Sequence, residues 1–328
     1  MKKFFFLFIL AFFSCTSDTS ENEEIDLSEL YNINNVIPHP IDSESLLFLY
    51  KNTPRLYRIY EPDNINDDTK ILFHFHWWGG SVSALAQSYP EFISLANENN
   101  YILVYPQGLP NNYDGLNQGT DKGAGNWWCQ NPNTLQCDND DAGFIASLAN
   151  KIQKQYNILP SKTFASGISM GAVASFLANQ KASEYFNGVS SWIGGTMESG
   201  GFPSNDIFPV LMFDGIMDPF AFGEGNGSGK TNPFMLNFWP KSAVDQNDFV
   251  IGTSRKDIFE YYAQQASCSS VETIEINQIN TLTKYSDCVN DYQMWRYEVK
   301  DWGHTMPDLN NPAELDYAST VFEFFNQF

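Results

Sequence analysis

The feature that most limits what this chain can fold into is five residues long. Gly167-Ile168-Ser169-Met170-Gly171 follows an apolar run at 163–166 and leads into an Ala-rich segment at 171–180. A G-x-S-x-G sequence set between a strand and a helix forms an elbow. Its serine takes a strained backbone conformation, and its flanking positions must be small because strand and helix nearly touch there. Serine at a helix start also has the plainer role of an N-cap, so Ser169 needs partners before it reads as a nucleophile.

The segments around the elbow supply a context for it. Residues 70–76 and 101–105 are apolar runs of buried-strand length, separated by a helical stretch around 92–98. A helix at 142–156 precedes the elbow strand. Further strands are expected at 189–193, 209–213 and 294–299, with a closing helix at 313–325. Two short β-like runs, 46–50 and 56–60, open the body between Pro, Asn and Asp turn signals. This alternation predicts an α/β class fold: a mostly parallel central sheet with helices on both faces. With 328 residues, 43% of them hydrophobic and 16% aromatic, one large core is within reach, and no repeat or second domain boundary is visible.

In such a sheet an acid and then a histidine should follow the serine, each on a loop at the carboxyl end of its own strand. The run at 209–213 leads into Asp214-Gly215-Ile216-Met217-Asp218. Asp218, further out, is the candidate acid, while Asp214 is expected to stabilise the turn through local hydrogen bonds. Of four histidines, His39 precedes the sheet and His74 and His76 belong to an early strand. His304, directly after the last strand, is left as the candidate base, with Asp218 setting its tautomer.

Acyl transfer at Ser169 passes through an oxyanion that two backbone N–H groups can stabilise. Met170, next after the nucleophile, should supply one, and Trp78 in the turn His76-Trp77-Trp78-Gly79-Gly80 the other. Trp77, Trp78, Trp127, Trp128 and Trp302 are candidate substrate-lining residues, with core packing as the competing role for each.

At the amino end, Lys2 and Lys3 precede an apolar run at 4–13 that stops at Ser14-Cys15, so 1–14 reads as a signal peptide. The run is about ten residues, half of what a spanning helix needs. A cysteine directly behind such a run resembles the lipobox of bacterial lipoproteins and makes Cys15 the expected lipidation site, anchoring the chain to a bacterial membrane or cell surface. Phe12 and Phe13 are bulkier than that pattern, and ordinary cleavage with secretion is the other reading. Residues 15–34, with Asp18, Glu21, Glu23, Glu24 and Asp26, read as an acidic tether, and 35–328 as the catalytic domain.

Export implies an oxidising compartment. Four cysteines remain, for which three pairings exist; local closure favours Cys129 with Cys137 and Cys268 with Cys288. A zinc site is disfavoured, since no C-x-x-C pair or suitably spaced histidine accompanies them. A formal net charge of −21, from 39 acidic and 18 basic residues with no basic run, argues against a nucleic-acid partner.

Together these residues resemble the extracellular polyhydroxybutyrate depolymerases and the feruloyl and acetylxylan esterases related to them. The resemblance is carried by the His76 turn, Trp127-Trp128-Cys129 with Asp140-Asp141-Ala142-Gly143-Phe144, the elbow, Asp214-Gly215-x-x-Asp218, the Cys268 and Cys288 spacing, and Gly303-His304-Thr305-x-Pro307. It implies an α/β-hydrolase fold and a serine esterase in which Ser169, Asp218 and His304 are nucleophile, acid and base, with no cofactor and no metal. Three departures bear on the substrate: Trp77 stands where the family has Gly, Asp214 where it has His or a similar residue, and Ala172 where it has a second Gly. Trp77 and an aromatic insert with Phe220, Phe222, Phe234, Phe238 and Trp239 would narrow the pocket.

The expected substrate is a carbohydrate-linked ester, feruloyl or acetyl, or alternatively a polyester of the polyhydroxybutyrate type, attacked by a monomer. Rival readings are a serine peptidase and a non-catalytic carbohydrate-binding lipoprotein. Asp140 and Asp141 suggest calcium, but Ala142 breaks the ligand spacing, so a helix N-cap is expected instead. The Gly-rich run at 223–230 lacks the first Gly of a phosphate loop and the strand leading into it.

Overall fold

A chain that alternates buried strands with helices can bury both faces of its sheet only by carrying a helix layer on each. The computed structural model describes residues 37–38, 43–51, 53–110, 125–127, 140–194, 206–218, 255–300, 302–304 and 315–328. Antiparallel β1 (Ile37–Pro38), β2 (Leu46–Tyr50) and β3 (Thr53–Tyr60) open the body. Then come β4 (Lys70–Phe75), α1 (Val82–Ser88), α2 (Glu91–Glu98), β5 (Tyr101–Pro106) and the small pair β6 (Leu109–Pro110) and β7 (Gly125–Asn126). The elbow region follows as α3 (Asp141–Tyr156), β8 (Thr163–Ile168), α4 (Met170–Lys181) and β9 (Val189–Trp192). The described remainder is β10 (Val210–Gly215), α5 (Arg255–Gln265), β11 (Ser270–Glu275), β12 (Asn280–Ser286), β13 (Met294–Val299) and α6 (Tyr317–Phe325).

One eleven-stranded sheet runs β1-β2-β3-β5-β4-β8-β9-β10-β13-β12-β11. Its six central strands, β5 to β13 in that order, are parallel, and antiparallel strands finish both edges. Side chains along β4 alternate between layers, as the two-residue period of a strand requires. Ile71, Phe73 and Phe75 meet α3 through Phe144, Ile145 and Leu148, whereas Leu72 joins Phe92 of α2 and Val321 and Phe325 of α6. Phe259 and Tyr262 of α5 pack with Val210 and Met212 of β10 on the α3 side of the sheet, through Phe176 of α4.

The start of α3 is fixed by two neighbouring carboxylates. Asp140 is the N-cap, accepting from Gly143 N at 2.9 Å and from Tyr50 Oη at 2.6 Å. Asp141 forms a buried ion pair with Arg55 at 2.7 Å, so the pair holds helix to sheet. Cys268, behind α5, and Cys288, after β12, are joined in a disulfide.

The structure extends what the sequence reading found in several places. The hairpin β11–β12 was not anticipated because its outer strand is exposed almost throughout and carries no apolar run. Seven-residue α1 is too short to show a period. Strand β10 continues two residues past the expected end at 213, which puts Asp214 inside the sheet and not in a turn.

Candidate active site

Strand β8 lies between β4 and β9, and the chain reverses sharply at its end. Ser169 N donates to Trp192 O at 2.8 Å, and Ser169 itself adopts φ 55°, ψ −115°, a region unfavourable to any residue with a Cβ. The space explains the flanking glycines. A Cβ on Gly167 would lie 2.1 Å from Gly171 O, and one on Gly171 would lie 2.1 Å from Phe75 O at the end of β4. The Ser169 side chain makes no capping bond to α4, which removes the plain N-cap role. Its Oγ lies 2.8 Å from His304 Nε2.

The acid and the histidine meet because their strands are neighbours. Val210–Gly215 pairs in parallel with Met294–Val299, so both following loops leave the same edge of the sheet. Those loops are then joined directly: Ile216 N donates to Val299 O at 3.0 Å and Met217 N to Trp302 O at 2.8 Å. His304 Nδ1 lies 2.9 Å from Asp218 Oδ2. With Nδ1–H donating to the carboxylate, Nε2 is left as the acceptor facing the serine hydroxyl.

Asp218 is fully buried, which by itself would raise its pKa. The hydrogen bond from His304 and the charges of Arg255 and His304 outweigh that burial and hold the carboxyl below its usual range. Asp218 Oδ2 also accepts from Arg255 Nη2, a contact across 37 residues that the sequence reading missed. Asp214 corrects an expectation: instead of bonding locally in a turn, its buried carboxylate accepts from Arg296 Nε at 2.6 Å and lies 3.6 Å from Arg255 Nη1.

The turn after β4 stands beside the elbow, since Gly171 backs onto Phe75 O and His76 O. His76 is fully buried and fastens the turn: Nδ1 lies 2.8 Å from Trp77 O, while Nε2 receives Gly108 N at 3.0 Å and Gln107 Nε2 at 3.1 Å. These partners require the proton on Nδ1. Gln107 Oε1 in turn accepts from Val82 N at 2.8 Å, so one side chain ties both ends of the turn that bears Trp78. Met170, half-buried, opens α4, where first-turn N–H groups lack helical partners.

The tryptophans separate by environment. Trp78 is 50% exposed. Trp77 is half-buried, edge-on to Tyr89, and Trp302 is half-buried against the apolar layer beside α6. Trp127 takes the core-packing role instead of the expected substrate-lining one: it is fully buried, perpendicular to Phe75 at 5.1 Å, and donates its indole N–H to His76 O at 2.9 Å, so it supports the turn from within the core. Trp128, Cys15, Cys129, Cys137 and the aromatic insert at 220–239 lie outside the described residues. Among the described residues no group of three or more His, Cys, Asp or Glu is placed to hold a metal ion. None of the described helices is long and apolar enough to cross a membrane.

No protein-family model matches the chain. An acetylxylan esterase of Coprinopsis cinerea is 24% identical over 138 residues, 42% of this chain and 34% of that protein. The match therefore spans about a third of that relative's length. Among solved structures, an acetyl xylan esterase from Aspergillus awamori aligns with TM-score 0.51 at 14% identity, covering 83% of this chain and 94% of its own. A carboxylesterase from Mesorhizobium loti aligns with TM-score 0.50 at 12% identity, covering 85% and 98%. At these identities the likeness is one of fold, and the fold is that of the α/β-hydrolases.

Proposed function

We propose that this chain is a serine hydrolase of carboxylic esters, in which Ser169 attacks the acyl carbon, His304 carries the proton and Asp218 orients His304. The observation that carries the reading is the unbroken line from Ser169 Oγ to His304 Nε2 at 2.8 Å and from His304 Nδ1 to Asp218 Oδ2 at 2.9 Å. As Oγ bonds to the carbonyl carbon, its proton passes to Nε2, and the imidazolium is stabilised by the buried carboxylate. The oxyanion is held by the N–H groups of Met170 and Trp78. Collapse expels the alcohol, which takes the proton from Nε2. Water then attacks the acyl-enzyme with His304 again as base, releasing the acid and restoring the serine hydroxyl. Each step uses only these groups.

The substrate class we favour is an acyl ester on a polysaccharide, acetyl or feruloyl. Two of the similar proteins are described as acetylxylan esterases, and the exposed indole of Trp78 beside the elbow offers a flat surface on which a sugar or aromatic ring can stack. A polyester of hydroxybutyrate is the second candidate, resting on the motif resemblance alone. Residues 1–14 direct export, and Cys15 anchors the body through a lipid and the tether at 15–34.

Release of acetate, ferulate and hydroxybutyrate from model esters, measured side by side with the Ser169→Ala variant, tests the reading. Turnover should fall by about 10⁴-fold or more in the variant. Unchanged turnover there would end the serine-hydrolase assignment, and hydroxybutyrate oligomers as the sole good substrate would reverse the preference for carbohydrate esters.

A further inference from the structure

Behind the triad lies a row of charges, mostly buried, that leads to Asp218 and that the reaction as described does not otherwise use. Glu298 Oε2 lies 3.1 Å from Arg296 Nη1, Arg296 Nε 2.6 Å from Asp214 Oδ2, and Asp214 Oδ1 3.6 Å from Arg255 Nη1. Arg255 Nη2 then reaches Asp218 Oδ2, the same oxygen that accepts from His304 Nδ1. The side chains of Asp214, Arg255 and Arg296 are each less than a tenth exposed, and that of Asp218 not at all. Lys256, half-buried, and Asp257, exposed, follow Arg255 on α5.

We propose that Arg255 is a positioning residue of the triad: its guanidinium fixes the rotation of the Asp218 carboxylate and balances the charge of the Asp214–Asp218 pair, which sets the pH at which the triad becomes active. The inference rests on the serine-hydrolase reading above. Two donors on one buried oxygen leave the carboxylate a single orientation, in which His304 presents Nε2 to Ser169. Among the described residues Arg255 stands between the Asp214 and Asp218 carboxylates, so its positive charge offsets their mutual repulsion.

Without Arg255, Asp214 and Asp218 would be buried with too little positive charge between them. Either Asp218 takes up a proton at higher pH or the imidazolium beside it is held more firmly, and both outcomes displace the acid limb of kcat/KM to higher pH. A role confined to packing would lower activity by one factor at every pH.

The test is kcat and KM on a chromogenic acetyl ester from about pH 5 to 9 for the full-length protein, Arg255→Met, Arg255→Lys and the double variant Arg255→Met/Asp214→Asn. We expect the acid limb of Arg255→Met to rise by about one pH unit or more. Its kcat should fall about tenfold at neutral pH with KM nearly constant, and Arg255→Lys, which keeps the charge but not the fork, should lie between. The double variant, which removes one charge of each sign, should bring the acid limb back towards that of the parent; if Arg255→Met does not fold, Arg255→Lys decides by a smaller rise of the same limb. An acid limb that stays in place in every folded single variant overturns the inference. Activity that depends on Ser169 but shows that fixed limb sinks this inference alone; no Ser169-dependent activity in the parent protein sinks the functional reading instead.

Discussion

Acidification from pH 7 to pH 5 should strongly destabilise the fold through two fully buried histidines. His74 is fully buried, stacked on Phe92 at 4.1 Å, and among the described residues neither of its ring nitrogens has a hydrogen-bond partner. Burial, with a smaller contribution from His76, lowers its pKa to about 3. His76 is lowered to about 4, again by burial, opposed in part by its bond to the Trp77 backbone. In the unfolded chain both titrate at about 6.5. A base whose folded pKa is depressed binds fewer protons folded than unfolded, so its contribution is fully present above the unfolded pKa. It is lost as the pH falls from there toward the folded value.

Between pH 7 and pH 5 each histidine should therefore remove about 2 kcal/mol, and the pair about 4 kcal/mol. Against a total stability of about 5–15 kcal/mol this is a large part. Urea unfolding followed by tryptophan fluorescence at both pH values, on the parent and on His74→Leu, isolates one of the two. Other titrating groups are common to both proteins and cancel in the comparison. The leucine variant, which places an apolar side chain of similar volume beside Phe92, should lose about 2 kcal/mol less on acidification. Equal losses in the two proteins would mean that His74 carries a proton or a solvating partner in the folded state, and the argument from burial would be wrong.

Two other expectations concern the elbow and the anchor. Gly171→Ala places a Cβ about 2.1 Å from Phe75 O, a backbone atom that cannot step aside, so the variant should lose ester hydrolysis together with its thermal unfolding transition; a folded, active Gly171→Ala protein would contradict the close approach. Fatty-acid labelling of the expressed full-length chain should be present in the parent and absent in Cys15→Ser, and equal labelling of both would remove the lipid anchor.

The elbow was legible in the sequence because its demands are local. A turn this tight needs small residues at 167 and 171, and a short backbone motif writes its requirement into adjacent positions. The candidate acid and base could be chosen for a topological reason, since each had to follow a strand of the parallel sheet and only one histidine came late enough; the structure brings the two chosen side chains, Asp218 and His304, to 2.9 Å. The helix N-cap at Asp140 was readable in the same local way.

The partners of Asp214 and Asp218, by contrast, came from tertiary structure alone. Arg255 reaches Asp218 across 37 residues and Arg296 reaches Asp214 across 82, and no spacing along the chain signals either pairing. They meet because β10 lies beside β13 and α5 packs against both. Trp127 is a similar case, since whether an indole lines a cleft or fills a core depends on which elements close over it. Short-range backbone constraints leave a record in sequence order. Ion pairs and burial depend on which distant segments become neighbours, and that is decided by the order of strands in the sheet.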